Sequence, residues 1–214
     1  MDFQGSLFEA PLVAEAGTDP VEALSAALAG AERHVLGDGA WVDVRRTWLP
    51  EADDVLATAV RDVPWRSERR QMYDRVVDVP RLVHTYMLGE ALPHVVLDHA
   101  RDALSAHYAE ELGEPFRTAG CCYYRDGRDS VAWHGDTIGR GSQVDTMVAI
   151  VSLGDPRRLQ LRPRGGGHAL SFEMGHGDLV VMGGSCQRTW EHAVPKAAHA
   201  GPRVSVQFRP FNVF

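Results

Sequence analysis

Ser130-Val131-Ala132-Trp133-His134-Gly135-Asp136 begins as a β-type run and ends on a His-x-Asp triplet. In extended backbone the side chains at i and i+2 project to the same side, so the His134 imidazole and the Asp136 carboxylate are directed together into one cavity. One further imidazole from a distant strand would complete a face of two nitrogens and one oxygen. Non-haem iron(II) oxygenases use that set, with the opposite coordination positions left open. His192, in the strand-like run Trp190-Glu191-His192-Ala193-Val194-Pro195, is the candidate. A His and an Asp two apart also arise by chance in turns and surface pairs, so the triplet needs corroboration elsewhere in the chain.

The corroboration lies downstream. Arg203-Val204-Ser205-Val206-Gln207-Phe208-Arg209 alternates, so that 203, 205, 207 and 209 share one face and two arginines stand with small polar groups. Two guanidinium groups turned into a barrel mouth are costly unless they meet carboxylates. A dicarboxylate such as 2-oxoglutarate meets the requirement, with one end on the metal and the other gripped by arginine. An exposed strand face with its arginines in water is the alternative for either residue taken singly.

Around these motifs the texture from residue 117 onward is one of short β-type runs broken by Gly and Asp: 118–125, 130–134, 146–153, 157–163, 168–174, 178–183, 190–194 and 203–209. About eight strands after an α-rich lead-in predict an α+β fold, a β-sandwich or jelly roll with the helices packed on one sheet. Upstream, Asp19-Pro20-Val21-Glu22 opens a helix over 21–30 with a capping Asp and a Pro in the first turn. A strand is expected over 40–45, a second helix over 50–63 and a long one over 91–112. Residues 1 to about 18 read as a loosely attached arm.

The 214 residues, with 44% hydrophobic and 24% charged side chains, are enough for one domain with a full core. The formal charge of −7 argues against a chain whose whole surface binds polyanions. The imbalance sits upstream, since residues 1–55 hold eleven acids against three bases. Beyond them arginines cluster at Arg66, Arg69, Arg70, Arg75 and Arg81 and at Arg157, Arg158, Arg162 and Arg164, either as phosphate-gripping groups or as solvated surface. No apolar run approaches the roughly 20 residues that span a bilayer. The three cysteines, Cys121, Cys122 and Cys186, form no disulfide framework or zinc cage and read as reduced thiols. A cytoplasmic monomer with no membrane partner is expected.

On His134-x-Asp136, His192 and Arg203-x-Ser205-x-x-x-Arg209, the chain resembles the AlkB family from about residue 40 to 214. The resemblance implies a double-stranded β-helix (jelly roll) at 41–214, with 1–40 as arm and short helix. It implies iron(II) held by His134, Asp136 and His192, and 2-oxoglutarate held by Arg203, Ser205, Arg209 and the tyrosine Tyr124. The stretch 65–86 is similar to the family's nucleotide-recognition lid, which implies contacts from Arg66, Arg69, Arg70, Tyr73 and Arg81 to alkylated DNA, or RNA. The activity implied is oxidative dealkylation of bases with dioxygen as co-reactant. Cys122 and Ser205 stand where the family has Asn, which removes two amides from the cosubstrate site, and Ile138 stands where several repair members carry an acid. A hydroxylase acting on a protein or small molecule, a non-enzymatic jelly-roll binding module and a zinc hydrolase are the rival readings.

Overall fold

The computed structural model describes residues 17–72, 75–136 and 139–213, with the backbone alone for residues 69–72 and 75–79. Asp19 opens α1 (Pro20–Ala27), its carboxylate accepting from the Val21 amide at 2.8 Å. The hairpin β1 (Glu32–Gly37) and β2 (Ala40–Arg45) follows, then α2 (Ala52–Asp62), β3 (Arg66–Met72) and β4 (Arg75–Tyr86). Next come α3 (Val95–His107) and α4 (Ala109–Leu112). The C-terminal half runs β5 (Thr118–Tyr124), β6 (Val131–His134), β7 (Val148–Gly154), β8 (Arg157–Pro163), β9 (Leu170–Met174) and β10 (Asp178–Gly184). It closes with α5 (Cys186–Thr189), β11 (Trp190–Val194) and β12 (Arg203–Arg209). All eight strands expected after residue 117 are present, each within two residues of its expected ends.

The strands form two antiparallel sheets, an eight-stranded one in the order β1-β2-β10-β7-β12-β5-β4-β3 and a four-stranded one in the order β6-β11-β8-β9. This is the expected α+β jelly roll with helices on one sheet. Its two cores follow from strand alternation. On β12, Val204, Val206 and Phe208 face the helices, joining Leu24, Val55, Leu97 and Leu104 in one core. On β7 and β10, Val148, Ile150, Val180 and Met182 face the other way, with Leu159, Leu161 and Met174 of the smaller sheet in a second. Full burial of a side chain such as Phe208, at 0% exposure, contributes about 1.5–3 kcal/mol. The second core surrounds the polar faces of β5 and β12, and the cavity that opens there is the candidate site.

Three differences from the sequence reading have physical causes. The expected helix over 91–112 starts late, because Pro93 disfavours helix before it and His94 caps α3, Nδ1 accepting from the Val96 amide at 3.2 Å. It also breaks at Tyr108, whose phenol donates to Asp43 at 2.9 Å and ties the end of α3 to β2. Strand β1 was not foreseen, since its register with β2 is held by a charge-assisted contact, Arg33 forking onto Asp43 at 2.7 Å, rather than by an apolar stripe. Within the stretch 65–86, β3 and β4 pair antiparallel and continue the large sheet, with Arg70 opposite Val77 and Leu82 opposite Tyr123. Its first strand carries Arg, Ser and Glu at exposed positions, so apolar alternation had nothing to report.

Candidate metal and cosubstrate site

Strands β6 and β11 pair with His134 directly opposite His192, which sets the two imidazole centroids 4.2 Å apart. Asp136 follows the end of β6, and its backbone amide donates to Gln187 Oε1 at 3.2 Å. One ligand atom from each of His134, Asp136 and His192 lies within 4.8 Å of the others, close enough to share an ion. His134 Nδ1 is 2.9 Å from the carbonyl oxygen of Ala132, which accepts only. The ring hydrogen therefore sits on Nδ1 and Nε2 is left as the lone pair facing Asp136, the second-sphere arrangement expected of a ligating histidine.

The electrostatics suit a cation. Burial, and then the neighbouring His134 ring, push the His192 imidazole down to about 3, so it is neutral and able to ligate. Burial likewise lowers His134, with Asp136 opposing. Burial alone would raise the Asp136 carboxyl, but Arg209 and the two imidazoles outweigh it and hold the group well below the usual carboxylate range. Two neutral imidazoles and one carboxylate, in a pocket open on one side, are the donor set of a non-haem iron(II) site, so the residues fit the metal that the motif implies.

At the other end of the pocket Arg203 is 3% exposed. Its Nε donates to Ser152 Oγ at 2.9 Å, its guanidinium carbon lies 5.0 Å from the Tyr124 ring centroid, and its Nη1 has no hydrogen-bond partner among the described residues. A buried guanidinium with a free donor lacks its anion, and a carboxylate is the group that fits. Tyr124, Ser205 and Gln207 line the same pocket, on the paired strands β5 and β12 whose register sets Arg203 against Tyr124, Ser205 against Cys122 and Gln207 against Gly120. The fit to a keto-diacid reaching from Arg203 toward the imidazoles follows from these positions.

The structure brings His134, His192, Tyr124, Arg203, Ser205 and Arg209 into one pocket, with Asp136 beside it and within shared ligand reach of the two imidazoles. Arg209 points at Asp136, not at the free end of the site. Arg81 also lines the pocket, donating to Cys122 Sγ at 3.3 Å and to the Ser130 carbonyl at 3.5 Å, while Arg66 is exposed on β3. Arg69 and Arg70 lie on β3 by backbone, and Tyr73 and Ile138 fall outside the described residues. Arg157, read from the sequence as either phosphate-gripping or solvated, is buried and donates to the carbonyls of Asp126, Asp129 and Pro195. Trp133 lies under Arg162, 4.2 Å from guanidinium carbon to ring centroid. Gln187, Ser152 and Gln207 were not singled out. Strand alternation alone places Gln207 inward with its neighbours, whereas nothing in the sequence marks Gln187.

Comparison with known proteins agrees with the geometry. The alpha-ketoglutarate-dependent dioxygenase alkB homolog 3 of Bos taurus is 30% identical over 181 residues, covering 75% of this chain and 62% of that protein. Its Homo sapiens counterpart is 30% identical over 189 residues, covering 79% and 63%. DNA oxidative demethylase ALKBH2 of Arabidopsis thaliana is 29% identical over 132 residues, covering 51% and 42%. The chain thus spans about three-fifths of the alkB homolog 3 proteins it matches. The solved structure of OsALKBH1 shares the fold at a TM-score of 0.58 and 16% identity, covering 83% of this chain and 99% of that one. An oxidoreductase of the 2OG-Fe(II) oxygenase family from Burkholderia pseudomallei does so at 0.53 and 15%, covering 92% of each. The family model of the 2OG-Fe(II) oxygenase superfamily matches residues 48–209, a span that holds β3 to β12 and every ligand candidate, and the chain belongs to that superfamily.

Proposed function

We propose that this chain is an AlkB-type dioxygenase that removes N-alkyl groups from the bases of DNA, or of RNA, by oxidation. One observation carries the reading: His134 and His192, whose ligand atoms lie within 4.8 Å of that of Asp136, share a pocket with Arg203 and its free Nη1, as a metal and a keto-diacid together require. The names alkB homolog 3 and DNA oxidative demethylase, borne by proteins similar to this one, support the choice of substrate. Iron(II) with 2-oxoglutarate and dioxygen supplies hydroxylation of the N-alkyl carbon, the cosubstrate leaving as succinate and carbon dioxide and the product then releasing an aldehyde.

The residues of the chain bind and orient. His134 and His192 offer neutral imidazole nitrogens, and Asp136 offers a carboxylate whose second oxygen is held by Arg209. Arg203, steadied by Ser152, would grip the distal carboxylate, with the Tyr124 and Ser205 hydroxyls beside it. The apolar wall of Val131, Ile150, Leu159 and Val194 excludes water from that end. The β3–β4 hairpin would serve as the lid, its exposed Arg66, with Arg69, Arg70 and Tyr73, meeting the nucleic acid while the target base leaves its stack. The same reading takes the protein as a cytoplasmic monomer.

Purified protein with iron(II), ascorbate and 2-oxoglutarate should release succinate and formaldehyde when given oligonucleotides bearing 1-methyladenine or 3-methylcytosine. The net charge of −7 favours the rival, a hydroxylase of a protein or small molecule. Stimulation by methylated peptides or metabolites, with none by DNA or RNA, would establish that rival and defeat the dealkylation reading.

A further inference from the structure

The floor of the pocket holds a run of hydrogen bonds whose direction is set from one end. Arg81 on β4 donates Nε–H to Cys122 Sγ at 3.3 Å. A guanidinium has only donors, so the thiol accepts there and is free to donate onward. Its sulfur lies 3.8 Å from Gln207 Oε1. Gln207 Nε2 in turn lies 3.0 Å from the backbone oxygen of Ser205 and 2.6 Å from Ser205 Oγ. A carbonyl oxygen only accepts, so the nitrogen of the carboxamide, and not its oxygen, must face Ser205.

Ser205 Oγ therefore accepts from Gln207, which leaves its own hydrogen free to point into the cavity it lines. Free Cys122 and Ser205 side chains would spin about one bond each and present either end to a ligand. Gln207, 8% exposed and anchored at both ends of its amide, removes that freedom. Gly120, opposite it on β5, makes room, since a Cβ there would stand 3.0 Å from Gln207 Oε1.

We propose that Gln207 is a positioning residue that fixes the direction of the relay Arg81 to Cys122 to Gln207 to Ser205, so that the Ser205 O–H is presented to the carboxylate held by Arg203. The proposal rests on the reading of this pocket as the 2-oxoglutarate site. A hydroxyl hydrogen aimed at a carboxylate makes a charge-assisted bond, whereas a lone pair aimed at it repels. The relay thus replaces, by orientation, the two amides that the resemblance places at 122 and 205.

The test is 2-oxoglutarate binding to the manganese-loaded full chain by calorimetry, without turnover. Gln207→Met keeps the length and removes the donor, and Gln207→Ala serves if the methionine variant folds poorly. Each should bind 2-oxoglutarate about tenfold more weakly, the change expected for one lost hydrogen bond to a charged group. Manganese affinity should stay as in the wild type. In a Ser205→Ala background, where the relay is already cut, the same change at 207 should cost nothing further. Wild-type affinity in Q207M and Q207A would overturn the proposal, and so would an equal loss in both backgrounds, which would mean direct contact or packing. A wild-type protein that takes up manganese but no 2-oxoglutarate would overturn the site reading itself, and the relay with it.

Discussion

Arg209 donates Nε–H to Asp136 Oδ2 at 2.8 Å, joining a side chain that is 15% exposed to one that is 5% exposed, from residues 73 positions apart. The arginine that the motif pairs with Arg203 is thus committed to the carboxylate of the metal site. Its guanidinium keeps Asp136 ionised and fixes which oxygen faces the imidazoles. Arg209 stands at the Asp136 carboxylate, and Arg203 beside Ser152 and the Tyr124 ring.

Replacing Arg209 by Met should weaken manganese or iron(II) binding by about 10- to 100-fold, the usual effect of losing a second-sphere partner. Removing one partner of a buried ion pair should also cost about 3–5 kcal/mol of stability in the metal-free protein. Metal titration by calorimetry, with urea unfolding alongside, reads both. Unchanged metal affinity would show that Asp136 is held in place without Arg209.

Arg203→Met should act in the opposite sense on stability. The wild-type side chain is a buried charge with a free donor, and burial pushes its guanidinium down from the ordinary value. The apolar replacement should leave the ligand-free protein as stable as the wild type or raise Tm by a few degrees, while 2-oxoglutarate binding falls by about 100-fold or more. A marked fall in Tm would mean that the bond to Ser152 outweighs the cost of burying the charge.

Arg157→Met should destabilise without touching the metal. Its guanidinium serves the carbonyls of Asp126, Asp129 and Pro195, pinning the turn after β5 to the segment after β11. Carbonyls left without a donor cost about 1–3 kcal/mol each where they remain buried, so a loss of about 2–4 kcal/mol is expected. Chemical denaturation measures it, and a loss under about 0.5 kcal/mol would mean that water replaces the guanidinium.

Manganese should raise Tm in proportion to the logarithm of its concentration, with about 2.7 kcal/mol of added stability at 100 times Kd. His192→Ala should abolish the increment while leaving the metal-free Tm near that of the wild type, because the imidazole is buried at a cost that metal binding offsets. An equal shift in wild type and variant would place the ion elsewhere, for instance at the exposed Glu51, Asp54 and His94 group.

The legible part of this protein was its periodicity. Alternation along 203–209 separates Val204, Val206 and Phe208 from the polar side chains between them, because the two-residue repeat of a strand is a local property, and His134-x-Asp136 was legible as a motif although β6 ends at His134 and Asp136 follows it. The same repeat carried the eight strands and the jelly roll. Contacts between distant segments were not encoded so. Nothing local tells that Arg209 turns to Asp136, that Gln187 accepts from the Asp136 amide, or that Arg157 leaves the solvent for three carbonyls. Nor does composition reveal that a charged run, Arg66 to Met72, extends the large sheet through pairing with β4. Such choices depend on which long, flexible polar side chains find partners once the sheets have closed, and only the packed chain brings those partners within reach.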